Sequence, residues 1–402
     1  MLSEKSRPVI EATLPVIQGR INTITPIFYE RLFKNHPELM DGMFSRADQK
    51  EGIQPRALAG SIPVFASYIL NNPDSYPDEI LSRVAHKHAS LGVGEEGYEI
   101  VYKYLFEAIA IDLADALTPE IAEAWTEVYW LMAQALIKIE KGLYDSQAND
   151  VVNAPFTLVK KEEVAPNVYD FTFEPADNTP LTPAEAGQYV GVVVKTADGL
   201  RQPRQYSLLP SQLHQRRFAV KINPAGEVTP MLKDLREGDT IELSNPYGDV
   251  VLNNISPLEF GPLYLFTSGI GIAPALAFVH KLASQGNGRE IIAVHRDQSL
   301  ESWPLRQEYA AAINSLPDGK LISFLQAEGE GDYDGDIDMS RFQLSRQSSA
   351  FMCGPLDFMQ TVRSSLVQAG LPGKNIHYEV FGPDQWMHRA RRQTIQGRRY
   401  VS

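Results

Sequence analysis

The stretch Arg204-Gln205-Tyr206-Ser207 says most about the fold of this chain. It lies among segments in which polar and apolar residues alternate, so we predict a β-strand on which Arg204 and Tyr206 face the same side. A guanidinium can neutralise a diphosphate, an aromatic ring can pack on a flat heterocycle, and a serine hydroxyl can hydrogen-bond to its edge. The stretch therefore predicts a strand that binds a diphosphate and a flat heterocycle. An ordinary barrel strand is the alternative.

A glycine-rich loop follows 62 residues later, at Gly269-Ile-Gly271-Ile-Ala-Pro274. It comes after a predicted strand and opens a predicted helix, so its backbone N–H groups suit a pyrophosphate. A third motif, Cys353-Gly354-Pro355, stands further along the chain. Cys353 could be a nucleophile, but no activating base is evident, so a buried small residue is the favoured interpretation.

Hydrophobic patterning divides the chain into three predicted domains. Residues 1–147 have helical periodicity, with Pro and Gly between the periodic segments. From Phe156 the residues alternate, which indicates a small antiparallel β-barrel. From Leu263, strands alternate with helical stretches, which is typical of a doubly wound α/β fold. We predict an all-α domain over 1–147, the barrel domain over 150–257 and the α/β domain over 258–402.

The composition is that of an ordinary globular protein and argues against some functions. The chain has 402 residues, of which 44% are hydrophobic and 22% charged. A net charge of −13 disfavours nucleic acid as a partner. No apolar run reaches the roughly 18 residues of a membrane span, and no secretory segment is evident. Cys353 is the single cysteine, which fits a reducing cytoplasm.

A histidine stands on an apolar helical face in the first domain. Spacings of four, four and three residues place Ile80, Val84, His88 and Leu91 on one predicted face, while His86 should point away. A histidine in such a position is more often a core residue than a ligand. Two further inward stripes accompany it, Gln54 with Leu58, Ile62, Phe65 and Ile69, and Ile21 with Ile24, Phe28, Tyr29 and Leu32.

The motifs in both halves resemble known families. Arg204–Ser207, the glycine loop and Cys353-Gly354-Pro355 occur in the order found in the ferredoxin-reductase family, which binds a flavin first and a nicotinamide second. The helical half resembles the globins, and specifically the flavohaemoglobins. That resemblance rests on Phe28-Tyr29-Glu-Arg-Leu-Phe33, Pro37-Glu-Leu39, Phe44, Gln54, Leu58 and Lys87-His88-Ala-Ser90.

For the helical half, the resemblance implies a haem b site. His88 would be the proximal iron ligand, with Tyr98 and Glu140 beside it to make the imidazole a stronger donor. A surface position for Glu140, paired with Lys141 or Lys138, is an equally good interpretation of the sequence. Tyr29 and Gln54 would donate hydrogen bonds to bound O2. Phe44 would pack against the haem and Leu58 would shape ligand access. Pro55 suggests that the distal helix begins close to Gln54.

For the second half, the resemblance implies one FAD site and one NAD(P)H site. Thr229 would carry a capping hydroxyl at the turn that wraps the diphosphate, where Pro230 removes one N–H donor. Glu379 and Phe381 would lie at the edge and face of the flavin. The flavin-binding residues are Tyr189, Arg204, Gln205, Tyr206, Ser207, Val228 and Thr229. The nicotinamide-side residues are Gly269, Gly271, Pro274, Cys353, Gly354 and Pro355.

The two sites together imply a nitric oxide dioxygenase. Electrons would pass from NAD(P)H through FAD to haem, and O2 would react with NO to give nitrate. The expected partners are these small molecules, and a monomer is expected. Two alternatives stay open, an NAD(P)H oxidase or haem reductase without NO activity, and an oxygen-binding or gas-sensing globin. The choice between NADH and NADPH is also open, since Arg296 could meet a 2′-phosphate but Asp297 is adjacent.

Overall fold

The computed structural model describes residues 1–46, 53–255 and 261–382, with the backbone alone over 53–59. Packing divides the chain into two compact units. One contains Met1–Asp150 together with Lys195–Pro203, and the other contains Val151–Val194 and Arg204–Gly382. The 195–203 hairpin therefore packs with the helices although it lies within the barrel sequence. The three-domain boundaries inferred above remain a prediction.

The described part of the first unit contains five long helices around one apolar core. Ile24, Phe28 and Leu32 are almost completely buried on the first helix, and Ile62, Phe65 and Ile69 on the second, as their spacings predicted. Thr118 caps the fifth helix by accepting a hydrogen bond from the Ile121 N–H. The helices are α1 (Ser6–Asn35), α2 (Ile53–Asn71), α3 (Asp78–Ala89), α4 (Glu95–Leu113) and α5 (Pro119–Asp145).

The inward stripe predicted for α3 is partly wrong. The buried row of this helix is Leu81, Ala85 and Ala89, whereas Ile80, Val84 and His88 are half-buried. Leu91 is not on the helix, because α3 ends at Ala89. The apolar pattern gave the helix type but misplaced its most buried face by about 100°, which is the rotation between successive residues.

The second unit begins with a six-stranded antiparallel sheet in the order β4-β3-β6-β1-β2-β5. A bridge between Leu208 and Phe218 joins its two edges and closes the sheet into the predicted barrel. Large apolar side chains such as Phe156, Phe171 and Phe173 fill the interior. The strands are β1 (Asn153–Ala165), β2 (Val168–Pro175), β3 (Tyr189–Lys195), β4 (Arg201–Ser207), β5 (Arg216–Lys221) and β6 (Thr240–Ser244), and two short helices follow β5 and β6, α6 (Val228–Asp234) and α7 (Leu252–Ile255).

A parallel sheet in the order β10-β9-β8-β7-β11-β12 completes this unit, as the α/β pattern predicted. The order reverses between β7 and β11, so the crevice where such folds bind ligands lies at the carboxyl ends of these strands. The strands are β7 (Leu263–Ser268), β8 (Ile291–Asp297), β9 (Gly319–Leu325), β10 (Tyr333–Asp334), β11 (Ser349–Cys353) and β12 (Ile376–Glu379). The helices are α8 (Ile272–Ser284), α9 (Arg306–Asn314) and α10 (Leu356–Gln368).

Within the described ranges, no helix combines the length and apolar character needed to cross a bilayer.

Candidate functional site

Three helices bring His88, Tyr98 and Glu140 into contact. The Nδ1 of His88 lies 2.9 Å from Oε1 of Glu140 and 3.0 Å from the Tyr98 hydroxyl. The Tyr98 hydroxyl donates to the same carboxylate oxygen at 2.5 Å. The Glu140 side chain is only 4% exposed. The sequence allowed a surface position for Glu140, paired with Lys141 or Lys138; that interpretation is wrong, and Lys141 instead pairs with Asp145.

A second tyrosine supports this cluster. The Tyr129 hydroxyl donates to the backbone carbonyl of Tyr98 at 2.6 Å, and both rings are buried. Tyr129 precedes Glu140 by eleven residues, close to three helical turns, so the two share one face of α5. Burial, followed by the charge of Glu140, raises the pKa of Tyr98, so the phenol keeps its proton. Tyr129 was not among the residues predicted for this site, although its spacing from Glu140 was available as a signal.

The remaining nitrogen of His88 fits a haem iron. Glu140 and Tyr98 engage Nδ1, and Nε2 has no hydrogen-bond partner in the described part of the chain. The His88 side chain is 33% exposed, on a half-buried face that it shares with the aliphatic Ile80 and Val84. Among the described residues no group of three or more His, Cys, Asp and Glu could hold a metal ion. Haem iron requires only one such protein ligand.

On the distal side, the structure brings together two of the four predicted residues. Tyr29 is 6% exposed, and its ring centroid lies 6.1 Å from that of Phe44 and 5.5 Å from that of Phe33. Phe44 is half-buried and also packs edge-on against Phe33. Gln54 and Leu58 belong to α2, but their side chains lie outside the described residues. Their proposed roles therefore stay predictions.

The predicted flavin strand is formed as β4. Tyr206 stacks on Phe218 with ring centroids 5.4 Å apart and planes 8° from parallel. One face of the Tyr206 ring is thus covered by protein, which leaves the other for a second planar group. Arg204 and Gln205 are half-buried, and Ser207 is buried. Tyr189, also half-buried, lies at the start of β3 and pairs with Tyr247.

One expectation at the diphosphate turn is wrong. Thr229 does not cap α6, because the helix begins at Val228 and its N-cap residue is Glu227. The Thr229 hydroxyl instead accepts from the Asn223 N–H at 2.9 Å and donates to the Asn223 carbonyl at 3.1 Å, which closes the preceding turn. The Val228 side chain is 2% exposed and belongs to the barrel core, so only its backbone is available to a ligand.

The glycine loop has one open and one crowded position. A Cβ on Gly271 would lie 2.2 Å from the Cys353 carbonyl oxygen, so this glycine permits the loop after β7 to approach the end of β11 closely. Gly269 has a φ of +54°, and no protein atom lies within 4 Å of where its Cβ would be. The space beside Gly269 is therefore open, and the binding of a pyrophosphate by its backbone stays a prediction. Pro274 is buried in the first turn of α8.

At the end of β11, Cys353 is a core residue. It is completely buried, and burial followed by the nearby charge of Glu379 raises the pKa of its thiol. This supports the buried-residue interpretation over the nucleophile. Glu379 pairs with Cys353 in the sheet register and is half-buried. Phe381 is 46% exposed, whereas Gly354 is half-buried and Pro355 exposed.

A second histidine cluster, which the sequence did not indicate, lies at the end of β8. His295 is completely buried, with Nδ1 2.9 Å from the Thr267 hydroxyl and Nε2 3.3 Å from the Asp297 carboxylate. Trp303 stacks on the imidazole with centroids 4.4 Å apart. Asp297 Oδ1 also accepts hydrogen bonds from Ser302 and from the Gln298 N–H. Burial lowers the pKa of His295, against the opposing effect of Asp297.

Arg296, between these two residues, points to the other side of the strand. Its guanidinium pairs with Asp336 at 3.0 Å, and the two side chains are 26% and 81% exposed. The Asp297 side chain, in contrast, is 9% exposed and contacts the buried His295. The acid beside Arg296 at the surface is therefore Asp336, forty residues away in sequence, and not the adjacent Asp297.

Comparisons with known proteins match both halves of the chain. A globin family model matches residues 27–136, and an oxidoreductase FAD-binding domain model matches residues 155–252. A flavohaemoprotein from Bacillus subtilis is 34% identical, over 95% of this chain and 98% of the relative. A flavohaemoprotein from Rhizobium meliloti is also 34% identical, over 96% of this chain and 99% of the relative.

Two solved structures extend the comparison. The crystal structure of a flavohaemoglobin from Malassezia yamatoensis, with bound FAD and haem, superposes with a TM-score of 0.93. It is 51% identical, over 95% of this chain and all of that one. The FAD/NAD-binding domain of a nitric oxide dioxygenase from Vibrio cholerae is 26% identical, with a TM-score of 0.51, over 57% of this chain and 99% of that one.

Proposed function

The chain belongs to the flavohaemoprotein family, and from this premise we propose that it is a nitric oxide dioxygenase. It would convert NO and O2 to nitrate with electrons from NAD(P)H. The observation that carries the proposal is the contact of His88 with Glu140 and Tyr98, because a carboxylate on Nδ1 makes an imidazole a stronger iron donor. A cytoplasmic location remains part of the proposal, supported by the single buried cysteine.

The chain offers suitable residues for each cofactor. When bound, haem b supplies gas binding and one-electron chemistry, and FAD converts hydride pairs into single electrons. His88 would hold haem through Nε2, and Arg204, Tyr206 and Ser207 would hold FAD along β4. The Gly269 backbone would meet the pyrophosphate of the nicotinamide nucleotide.

Individual residues contribute orientation and protons. Glu140 would accept a hydrogen bond from the Nδ1–H of His88, which fixes the tautomer and leaves Nε2 for the haem iron. Tyr98 donates a hydrogen bond to Glu140 while keeping its proton, and so prevents that carboxylate from turning away. Tyr29 lies buried beside Phe44, where its hydroxyl can donate to a bound gas molecule.

The number of nitrate ions formed per NADH consumed distinguishes this function from the two alternatives. A dioxygenase should form two nitrate ions for each NADH when NO and O2 are both supplied, because each NO consumed needs one electron. An NAD(P)H oxidase would consume NADH at the same rate without NO and form no nitrate. A gas sensor or oxygen-binding globin would show little turnover under either condition.

Tyr29→Phe tests the distal side of the same proposal. The variant keeps the ring contacts with Phe33 and Phe44 but removes one donor. Since a hydrogen bond to a charged group contributes about 1.5–3 kcal/mol, O2 should dissociate roughly ten- to hundredfold faster. Stopped-flow O2 dissociation measures this, and anaerobic flavin reduction by NADH should stay unchanged. An unchanged rate, together with a large increase in Gln54→Leu, would transfer the role to Gln54.

A further inference from the structure

The 195–203 hairpin makes an unusual set of contacts with the helical unit. It belongs to the barrel by sequence, since it connects β3 to β4, but it packs with Met1–Asp150. Its partner is the 41–46 segment, which follows the short 3-10 helix Pro37–Met40 and carries Phe44. None of the motifs considered in the sequence includes this hairpin.

The hairpin contacts the 41–46 segment through polar groups at both ends of the segment. At the first end, the Gly42 N–H donates to the Arg201 carbonyl at 2.8 Å, and the Arg201 N–H donates to the Asp41 carboxylate at 2.6 Å. At the other end, the Arg46 guanidinium contacts Asp198 and the Thr196 hydroxyl. Hydrogen bonds from Arg201 hold the pKa of Asp41 below its usual range, so this carboxylate is charged at neutral pH.

Gln202 joins the two ends through a single buried amide. The residue is completely buried. Its Nε2 donates to the Met40 carbonyl at 3.2 Å, and its Oε1 accepts from the Arg46 N–H at 3.0 Å. A buried amide that bonds backbone groups on both sides of a segment fixes the path of that segment, since leaving such groups without partners is costly.

The position of Phe44 depends on this path. Phe44 lies between the two hydrogen-bonded ends of the segment, and its ring packs edge-on against Tyr29 and Phe33. The chain also runs directly from Gln202 through Pro203 into Arg204, the first residue of the flavin motif. The hairpin is therefore continuous in sequence with the flavin strand. Through the 41–46 segment it is also linked to Phe44 and the two aromatic rings that Phe44 contacts.

We propose that Gln202, assisted by Arg201, is a positioning residue that holds the 41–46 segment and Phe44 over the haem pocket, so that a hairpin of the reductase sequence controls the pocket's ligand-binding geometry. This inference rests on the proposed haem site. It assigns Gln202 no contact with substrate or cofactor, because it acts through the backbone of Met40 and Arg46.

The first test is hydrogen exchange on the haem-free full-length chain. Gln202→Leu removes both amide hydrogen bonds at similar volume, so the Arg46 amide should exchange about fivefold faster. Asp41→Ala changes a half-exposed residue of the helical unit. It should likewise raise the exchange rates of the Arg201 and Gly42 amides. Gln212→Leu is the matched control, since it makes the same change at an exposed position of the barrel, and it should leave these amides unaffected.

The second test is the C–O stretching band of the ferrous CO complex of each full-length variant. Gln202→Leu and Asp41→Ala should broaden or split this band and raise CO dissociation at least threefold. Anaerobic flavin reduction by NADH should stay within twofold of wild type, because the flavin residues are intact.

Each result has a defined meaning. Faster exchange with an unchanged CO band, an unchanged exchange rate, or an equal effect of Gln212→Leu would overturn the proposal. If Gln202→Leu does not fold, Asp41→Ala decides it alone. If the wild-type chain bound no haem, the proposed function would fail. Exchange at the Arg46 amide would still test whether Gln202 holds the 41–46 segment.

Discussion

His88 and His295 have similar neighbours but differ in what is left for a ligand. Each imidazole contacts one carboxylate and one hydroxyl group. In His88 both contacts fall on Nδ1, and the side chain is 33% exposed. In His295 the two contacts take one nitrogen each, and the residue is completely buried. A carboxylate beside a histidine therefore does not identify a metal ligand by itself, because a ligand also needs a second nitrogen without a protein partner, and of these two histidines only His88 meets that condition among the described residues.

The carboxylate also has a different part in each of the two clusters. Burial lowers the pKa of His295, so the imidazole is neutral and serves as a fixed hydrogen-bonding link between β7 and β8. The stacked Trp303 closes its remaining face. In the proposed haem site, Glu140 would instead hold the Nδ1–H of His88, so that Nε2 is left for the iron.

The largest predicted effect separates the two histidines directly. His88→Ala should abolish the haem absorbance of the purified protein while its flavin spectrum survives, because the two cofactors are held by separate cores. His295→Ala should leave haem absorbance intact and destabilise the nucleotide-binding side. His86→Ala is the control on the same helix. Haem loss in His86→Ala with retention in His88→Ala would reverse the assignment.

A second variant removes the charge that distinguishes the His88 cluster. Glu140→Gln keeps the shape but weakens the acceptor for the Nδ1–H. Loss of such a partner typically costs about ten- to hundredfold in metal affinity or activity. Haem affinity and the rate of NO consumption would measure it. Asp145→Asn, the same change at an exposed site of α5, should have no effect. Equal behaviour of the two variants would contradict a role for Glu140.

The His295 cluster predicts a dependence of stability on pH. Because the folded pKa of His295 is lowered, the unfolded chain binds more protons below its ordinary pKa of about 6.5. Stability from this group is therefore complete above that pH and falls as the solution becomes more acidic. In His295→Asn, the change in urea midpoint between about pH 8 and pH 5.5 should shrink. His214→Asn, at an exposed histidine, should retain the wild-type pH profile.

The smallest predicted effect concerns Arg296, the neighbour of His295 on the outer side of β8. Asp336 pairs with its guanidinium and so competes with a 2′-phosphate. Asp336→Asn should raise kcat/KM for NADPH relative to NADH by about fivefold, since an exposed ion pair contributes at most about 1 kcal/mol. Asp318→Asn, the same charge change at the start of β9, should leave the ratio unchanged. A ratio unaffected by Asp336→Asn would remove this pair from nucleotide selection.

Much of the fold could be predicted because its signals are local. Alternation identified the barrel strands, and the change to strands separated by helices identified the parallel sheet. The described parts of the stripes on α1 and α2 were confirmed for the same reason, except that Ile21 is half-buried. The stripe of α3 was partly wrong, because periodicity reports an apolar face but not which part of it meets protein and which part meets a cofactor.

Hydrogen-bond partners distant in sequence were harder to predict. Thr229 has the residue type of a helix cap but bonds Asn223, since the turn folds back on it. The Val228 side chain packs into the barrel core, and the assignment of its backbone to the cofactor stays a prediction. The error at Thr229 came from assigning a side chain a role that depends on its neighbours in space.

By itself, the sequence determined the order of the elements, the family resemblance and the identity of His88 as a candidate ligand, since these depend on residue types and spacings along the chain. Tertiary structure alone decided between a surface and a buried Glu140, and it alone joined Asp336 to Arg296 and Gln202 to the 41–46 segment. The physical reason is the same in each case. A hydrogen bond or ion pair needs atoms within about 3 Å, and for residues 40 to 156 positions apart only the folded chain sets that distance.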